Sequence, residues 1–173
     1  MVILGAGVCG AQSVFAYAIG GTNDEGASSI IQTSDGGYAI SGKTKSYGAG
    51  ETDFLLVKLD SASSLEWSLT IGGADYDAAG SVIQTTDGGY AIAGLTESFG
   101  TGEADVLFVK LNSTGTLEWS HTIGGTGWDA GGRLIQTSDG GYVISAITDS
   151  YGAGECDNLL VKLSSTGSLE WSR

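Results

Sequence analysis

The sequence predicts an all-β repeat protein in which three tandem 52-residue units each fold as four short strands. Three observations predict it. Ile19-Gly20-Gly21 recurs as Ile71-Gly72-Gly73 and Ile123-Gly124-Gly125, an offset of 52 each time with no insertion or deletion. The apolar residues alternate or run in short stretches of strand length. The chain has 30 Gly and 0 Pro among 173 residues without a triplet period, which suits many tight turns and excludes collagen.

The units are 19–70, 71–122 and 123–173, preceded by an apolar segment, 1–18. Units one and two are identical at 31 of 52 positions, and 26 positions are the same in all three. Within unit one, strand a is expected at about 28–33. Asp35-Gly36 then reads as a type I′ hairpin turn, since Asp-Gly tolerates positive φ. Strand b follows at about 38–44, then the Gly-rich loop Ser46–Glu51. Strand c, 54–59, is apolar on both faces and therefore central. A polar turn, Asp60–Ser64, leads to strand d, 65–71, with Leu65, Trp67, Leu69 and Ile71 on one face. Pairing Leu59 with Leu65 sets Val57 opposite Trp67 and Lys58 opposite Glu66. The same arithmetic pairs Lys110 with Glu118 and Lys162 with Glu170, as exposed pairs that set register and solubility.

Four strands in 52 residues match one propeller blade. The D-G-G-Y, S-x-G-x-G-E-x-D, V-K-L and L-E-W-S pieces resemble the β-propeller repeats of secreted bacterial and archaeal surface proteins. The resemblance covers 19–173 and implies three propeller-type blades in an extracellular or cell-surface setting. It implies no reaction. Three units are too few for a ring, so closure or extension by self-association is expected. Two chains would make six blades, or chains would join head to tail in a filament with strand donation at each joint. A fragment of a longer propeller is the other reading. Ser13–Ile19 aligns with strand d as an extra d-type strand, so Phe15, Tyr17 and Trp171 are candidate assembly residues. Cys9 and Cys156 join them, because a bridge between neighbouring chains would lock an assembly.

Met1–Ser13 carries three readings. Gly5-Ala6-Gly7-Val8-Cys9-Gly10 fits G-x-G-x-x-G, but the chain runs straight into β repeats with no room for a βαβ unit. A truncated secretion signal and a structural strand are the alternatives. The formal charge of -13 disfavours nucleic acid and anionic membrane surfaces as partners, and no apolar run is long enough to span a membrane.

Strand alternation brings the b–c and d–a loops to one end of each unit. That rim holds Tyr47, Glu51, Asp75, Tyr76, Asp77, Phe99, Glu103, Trp128, Asp129, Tyr151 and Glu155. Aromatic faces with acceptor side chains suit sugar rings, so a carbohydrate-binding, lectin-like module is the alternative to self-assembly. Clustered carboxylates suit a hard cation such as Ca²⁺, although the D-x-D-x-D-G loop is absent; no cofactor is expected otherwise. The bland reading is that Tyr47 and its equivalents plug the ends of the units while the acids solubilise the rim. His121, the only His, reads as a plain strand residue at the Leu69 position. With no nucleophile placed against it and three near-equivalent copies of every acid, an enzyme is not expected.

Overall fold

The computed structural model describes residues 2–5 and 17–173, all strand, turn and loop. A two-stranded ribbon pairs β1 (Val2–Gly5) with β2 (Tyr17–Gly20), antiparallel, Ile3 opposite Ile19. Three four-stranded antiparallel sheets follow, each a meander in chain order. Sheet I holds β3 (Glu25–Gln32), β4 (Tyr38–Thr44), β5 (Asp53–Leu59) and β6 (Leu65–Ile71). Sheet II holds β7 (Asp77–Gln84), β8 (Tyr90–Thr96), β9 (Asp105–Leu111) and β10 (Leu117–Ile123). Sheet III holds β11 (Asp129–Gln136), β12 (Tyr142–Thr148), β13 (Asp157–Leu163) and β14 (Leu169–Ser172). Strands b and d of unit one lie where the sequence puts them; strand a starts three residues earlier, at Glu25.

The turns differ from expectation in an instructive way. A type I′ turn needs positive φ at both central residues. Only Gly36 is positive (φ 83), and its N–H donates to the Thr33 carbonyl. The hairpin is therefore a type I turn over Thr33–Gly36 closed by a left-handed glycine. The Asp35 Oδ1 atom accepts from Thr33 Oγ1 and from the Gly37 N–H. The c–d turns close in the same way, with Gly115 and Gly167 left-handed in units two and three. Unit one has Ser63 there, at φ 65, the one described non-glycine residue with positive φ. A Cβ in that region is strained. Ser63→Gly is expected to raise stability by about 0.5–1 kcal/mol, after allowing for the extra freedom of glycine in the unfolded chain. A urea midpoint that fails to rise contradicts this.

The c–d register carries a β-bulge. Leu59 faces Leu65 as expected, but Lys58 faces Trp67 and Val57 faces Ser68, with Glu66 as the extra residue. The same bulge recurs at Glu118, and in sheet III the register shifts at the same place, with Leu163 opposite Leu169 and Lys162 opposite Trp171. It also separates side chains that simple alternation puts together. Leu65 packs with Leu55, Val57 and Leu59, whereas Trp67, Leu69 and Ile71 pack toward sheet II.

Two clusters form the joints between sheets. Ala39, Phe54 and Leu56 of sheet I meet Val82, Tyr90, Ile92, Leu107, Val109 and Leu111 of sheet II. Ala91, Ala93, Val106 and Phe108 of sheet II meet Leu134, Tyr142, Ile144, Leu159, Val161 and Leu163 of sheet III. The second receiving set is the first displaced by 52 residues, so one joint is built twice. The joints concentrate on the first strand of the following sheet: β4, β3 and β5 touch β7, and β8, β7 and β9 touch β11.

Candidate functional site

Each joint is sewn on the loop side by backbone. The Asp77 N–H donates to the Thr52 carbonyl (2.8 Å) and the Asp129 N–H to the Ala104 carbonyl (2.8 Å), which places Tyr76 and Trp128 in isolated parallel bridges. The b–c and d–a loops do share one end. Ser98 Oγ accepts from the Asp75 N–H, and Ser150 Oγ from the Gly127 N–H.

The structure divides the expected rim. Asp75, Glu51, Glu103 and Glu155 are exposed, as are Phe99 and Tyr151. Tyr47, Tyr76 and Trp128 are half-buried. The Tyr47 and Tyr151 hydroxyls donate to the Gly20 and Gly124 carbonyls (3.2 and 2.7 Å), and Lys43 Nζ donates to the Tyr76 hydroxyl (3.0 Å). Asp77 and Asp129, expected on a solvent-facing rim, are instead fully buried and belong to the joints. Asp77 Oδ2 accepts from the Gly73 N–H and Ser98 Oγ, and Asp129 Oδ2 from the Gly125 N–H and Ser150 Oγ. The sequence concealed this because a carboxylate capping a loop and one facing water look alike beside glycine.

Across each joint a second buried aspartate approaches, Asp53 toward Asp77 and Asp105 toward Asp129. Gly72 makes the room. A Cβ there would lie 2.0 Å from Asp53 Oδ1 and 2.7 Å from Asp77 Oδ2. Burial pushes the Asp53 and Asp105 carboxyls up, against the loop N–H groups of Ala49 and Thr101, and the facing aspartate adds to the rise. Burial also pushes on Asp129, but hydrogen bonds from Ser150, Thr148 and the Gly125 N–H hold it below the usual range. Among the described residues no group of three or more His, Cys, Asp or Glu side chains is disposed to hold a metal ion.

The expected Lys–Glu pairs form, with the lysine buried and its carboxylate partners about half exposed. Lys58, Lys110 and Lys162 are only 2%, 2% and 6% exposed. Each ammonium lies between two carboxylates. Lys58 Nζ is 2.8 Å from Asp35 and 2.6 Å from Glu66; Lys110 Nζ is 2.9 Å from Asp87 and 2.8 Å from Glu118. The bulge supplies the geometry, since the extra Glu side chain reaches the Lys that Trp faces. The sequence missed the second acid, which comes from the D-G-G turn.

An opening of about 700 Å³ lies between β10 and sheet III. Its wall includes His121, Ile123, Tyr151, Leu159, Val161 and Arg173. His121 therefore faces a cavity rather than a filled core; its ring tilts against Trp119 at 5.4 Å. Leu69, its counterpart, packs into the first joint. Cys156 is exposed and carries a free thiol, its Sγ 2.8 Å from Asp149 Oδ1, and that bond raises its pKa. Tyr17 opens β2 and Trp171 lies in β14, whereas Phe15 and Cys9 lie outside the described residues.

No protein-family model matches this chain, and no curated protein shows significant similarity to it. Among the described residues no helix is long and apolar enough to cross a membrane.

Proposed function

We propose that this is an extracellular interaction protein of propeller-type blades whose function is self-association. One observation carries the reading. On the outer face of sheet III, several positions whose counterparts in sheets I and II are buried against the next sheet are exposed apolar residues. Phe108 and Trp119 pack into the second joint, whereas their counterparts Leu160 and Trp171 are 43% and 37% exposed. Ile135 and Ile147 extend the same apolar face. Such a patch marks an association surface. The matching set lies on the same molecule: Tyr38, Ile40, Leu55, Val57 and Leu59 of sheet I repeat the receiving set of sheet II, here packed against Ile19. The contact is heterologous, so it closes into a ring of blades or continues as a filament. The acidic composition and the resemblance to secreted blade repeats support the extracellular setting.

Leu160→Glu tests this without touching either joint. The wild-type chain is expected to exceed 17.5 kDa by light scattering and to dissociate on dilution. The variant is expected to associate at least tenfold more weakly, with an unchanged unfolding midpoint. A wild-type chain that stays at 17.5 kDa at every concentration overturns the reading.

A further inference from the structure

The c–d turn of unit two carries a group that the turn itself does not need. The turn spans 112–116, with Gly115 left-handed at φ 78 and its N–H donating to the Asn112 carbonyl. Asn112 Oδ1 accepts from the Thr114 and Thr116 N–H groups (3.0 and 2.9 Å) and from Thr114 Oγ1 (2.9 Å). The other units cap the same turn without an amide. In unit one Asp60 Oδ1 accepts from the Ala62 and Ser64 N–H groups. In unit three Ser164 Oγ accepts from the Thr166 and Ser168 N–H groups. A carboxylate, a hydroxyl and an amide oxygen serve alike, because the cap needs only an acceptor. What asparagine adds is Nδ2, and all three bonds named here fall on its oxygen instead.

The residues beside that amide are those of a glycan acceptor. Asn112-Ser113-Thr114 is the triplet N-x-[ST] with a middle residue other than proline. The other two asparagines do not complete it: Asn23 is followed by Asp24 and Glu25, and Asn158 by Leu159 and Leu160. Nor do the equivalent turns, which read Asp60-Ser61-Ala62 and Ser164-Ser165-Thr166. The triplet is short, so its setting decides: an acceptor belongs on an exposed loop. Ser113, Thr114 and Thr116 are exposed and Asn112 is half-buried. Gly115 lies against the Trp67 ring of sheet I, which anchors the turn. None of 112–116 belongs to either apolar joint.

Resting on the extracellular reading, we infer that Asn112 is an acceptor for N-linked oligosaccharide. The co-substrate is an oligosaccharide carried on a lipid phosphate, and a membrane transferase of the export route is the catalyst. Nδ2 attacks the anomeric carbon of the first sugar. The C–N bond forms, the bond from that carbon to the phosphate oxygen breaks, its electron pair leaves with the lipid phosphate, and Nδ2 releases one proton. The amide oxygen is untouched, so the turn keeps its cap once the sugar is attached. A glycan there stands at the turn end of sheet II and leaves the faces through which copies associate uncovered.

The full chain, given an export leader, tests it in a host whose export route carries out N-glycosylation. Product recovered outside the cells is weighed by intact-mass spectrometry. The wild-type chain is expected to carry the mass of one oligosaccharide, removed by peptide-N-glycosidase, which leaves aspartate at position 112. Asn112→Asp and Thr114→Ala are each expected to abolish the modified form. Each borrows the residue that unit one has in the same turn, Asp60 or Ala62, so both are expected to keep the wild-type unfolding midpoint. Thr114→Ser is expected to retain the glycan. An exported, folded wild-type chain without added mass, or a glycan that survives Asn112→Asp, overturns the inference and leaves the extracellular reading standing. A chain held inside the cells despite its leader overturns the extracellular reading and the inference with it.

Discussion

Gly89→Ala is expected to lower stability by about 3 kcal/mol or more, enough to unfold much of the chain near physiological temperature. Gly89 is the second glycine of the D-G-G-Y turn in unit two. An added Cβ would sit 2.3 Å from the Leu111 carbonyl oxygen and 2.7 Å from Lys110 Nζ. Neither can yield cheaply. The carbonyl accepts a hydrogen bond from the Lys110 ammonium, and Leu111 is pinned in the ladder opposite Tyr90 and Leu117. Moving it would shift the centre of sheet II, which packs on both neighbours. Gly88 provides the control within the same turn. Its φ is 82, but a Cβ there would meet only Ser113 Cβ at 3.9 Å. Gly88→Ala is therefore expected to cost about 1 kcal/mol of left-handed strain and no clash. Urea denaturation of the pair decides it; equal losses would mean that backbone conformation, not the close approach of the carbonyl, explains the second glycine.

That contrast shows what was legible in the sequence and what was not. The 52-residue offset and the alternation locate β4 and β6 to the residue, because pattern and turn chemistry are local. The bulge at Glu66 was not legible. Period-two alternation assigns Trp67 to the face of Leu65, and only packing against Tyr90 of the next sheet, at 5.5 Å edge to face, turns it the other way. The identities of Asp77 and Asp129 pointed to a wet rim because nothing local distinguishes a capping aspartate from a solvated one. Their burial follows from the joint, and the joint follows from the stacking of sheets far apart in sequence. His121 was legible as the residue that breaks the repeat, but not as cavity lining. The cavity lies where β10 faces sheet III, a meeting of strands that neither strand's composition reveals.

The second large effect is expected at Lys110. Lys110→Ala should destabilise by about 2–4 kcal/mol, because it removes the shared partner of two carboxylates and a buried aliphatic stem together. The loss stays below the upper end for buried ion pairs because the Asp87 and Glu118 side chains remain 58% and 43% exposed and keep part of their hydration. Lys110→Met separates the two contributions. It retains most of the stem, so about half of the loss should return, and what remains measures the ammonium. The ammonium has a pH signature. Burial pulls the Lys110 pKa down, but hydrogen bonds from its Nζ to Glu118 and Asp87 outweigh this and raise it above the ordinary value. Its contribution to stability is therefore complete below the unfolded lysine range and is lost as pH rises through the folded pKa. At the acidic side Asp87 titrates at about 2, because hydrogen bonds from Thr85, Lys110 and the Gly89 N–H overcome its burial, so that partner holds until the pH falls through the range between the ordinary aspartate value and 2. Unfolding midpoints measured from neutral to alkaline pH should fall more steeply for the wild-type chain than for Lys110→Met. Parallel curves would mean that the stem alone, not the charge between Asp87 and Glu118, is what the V-K-L lysine contributes.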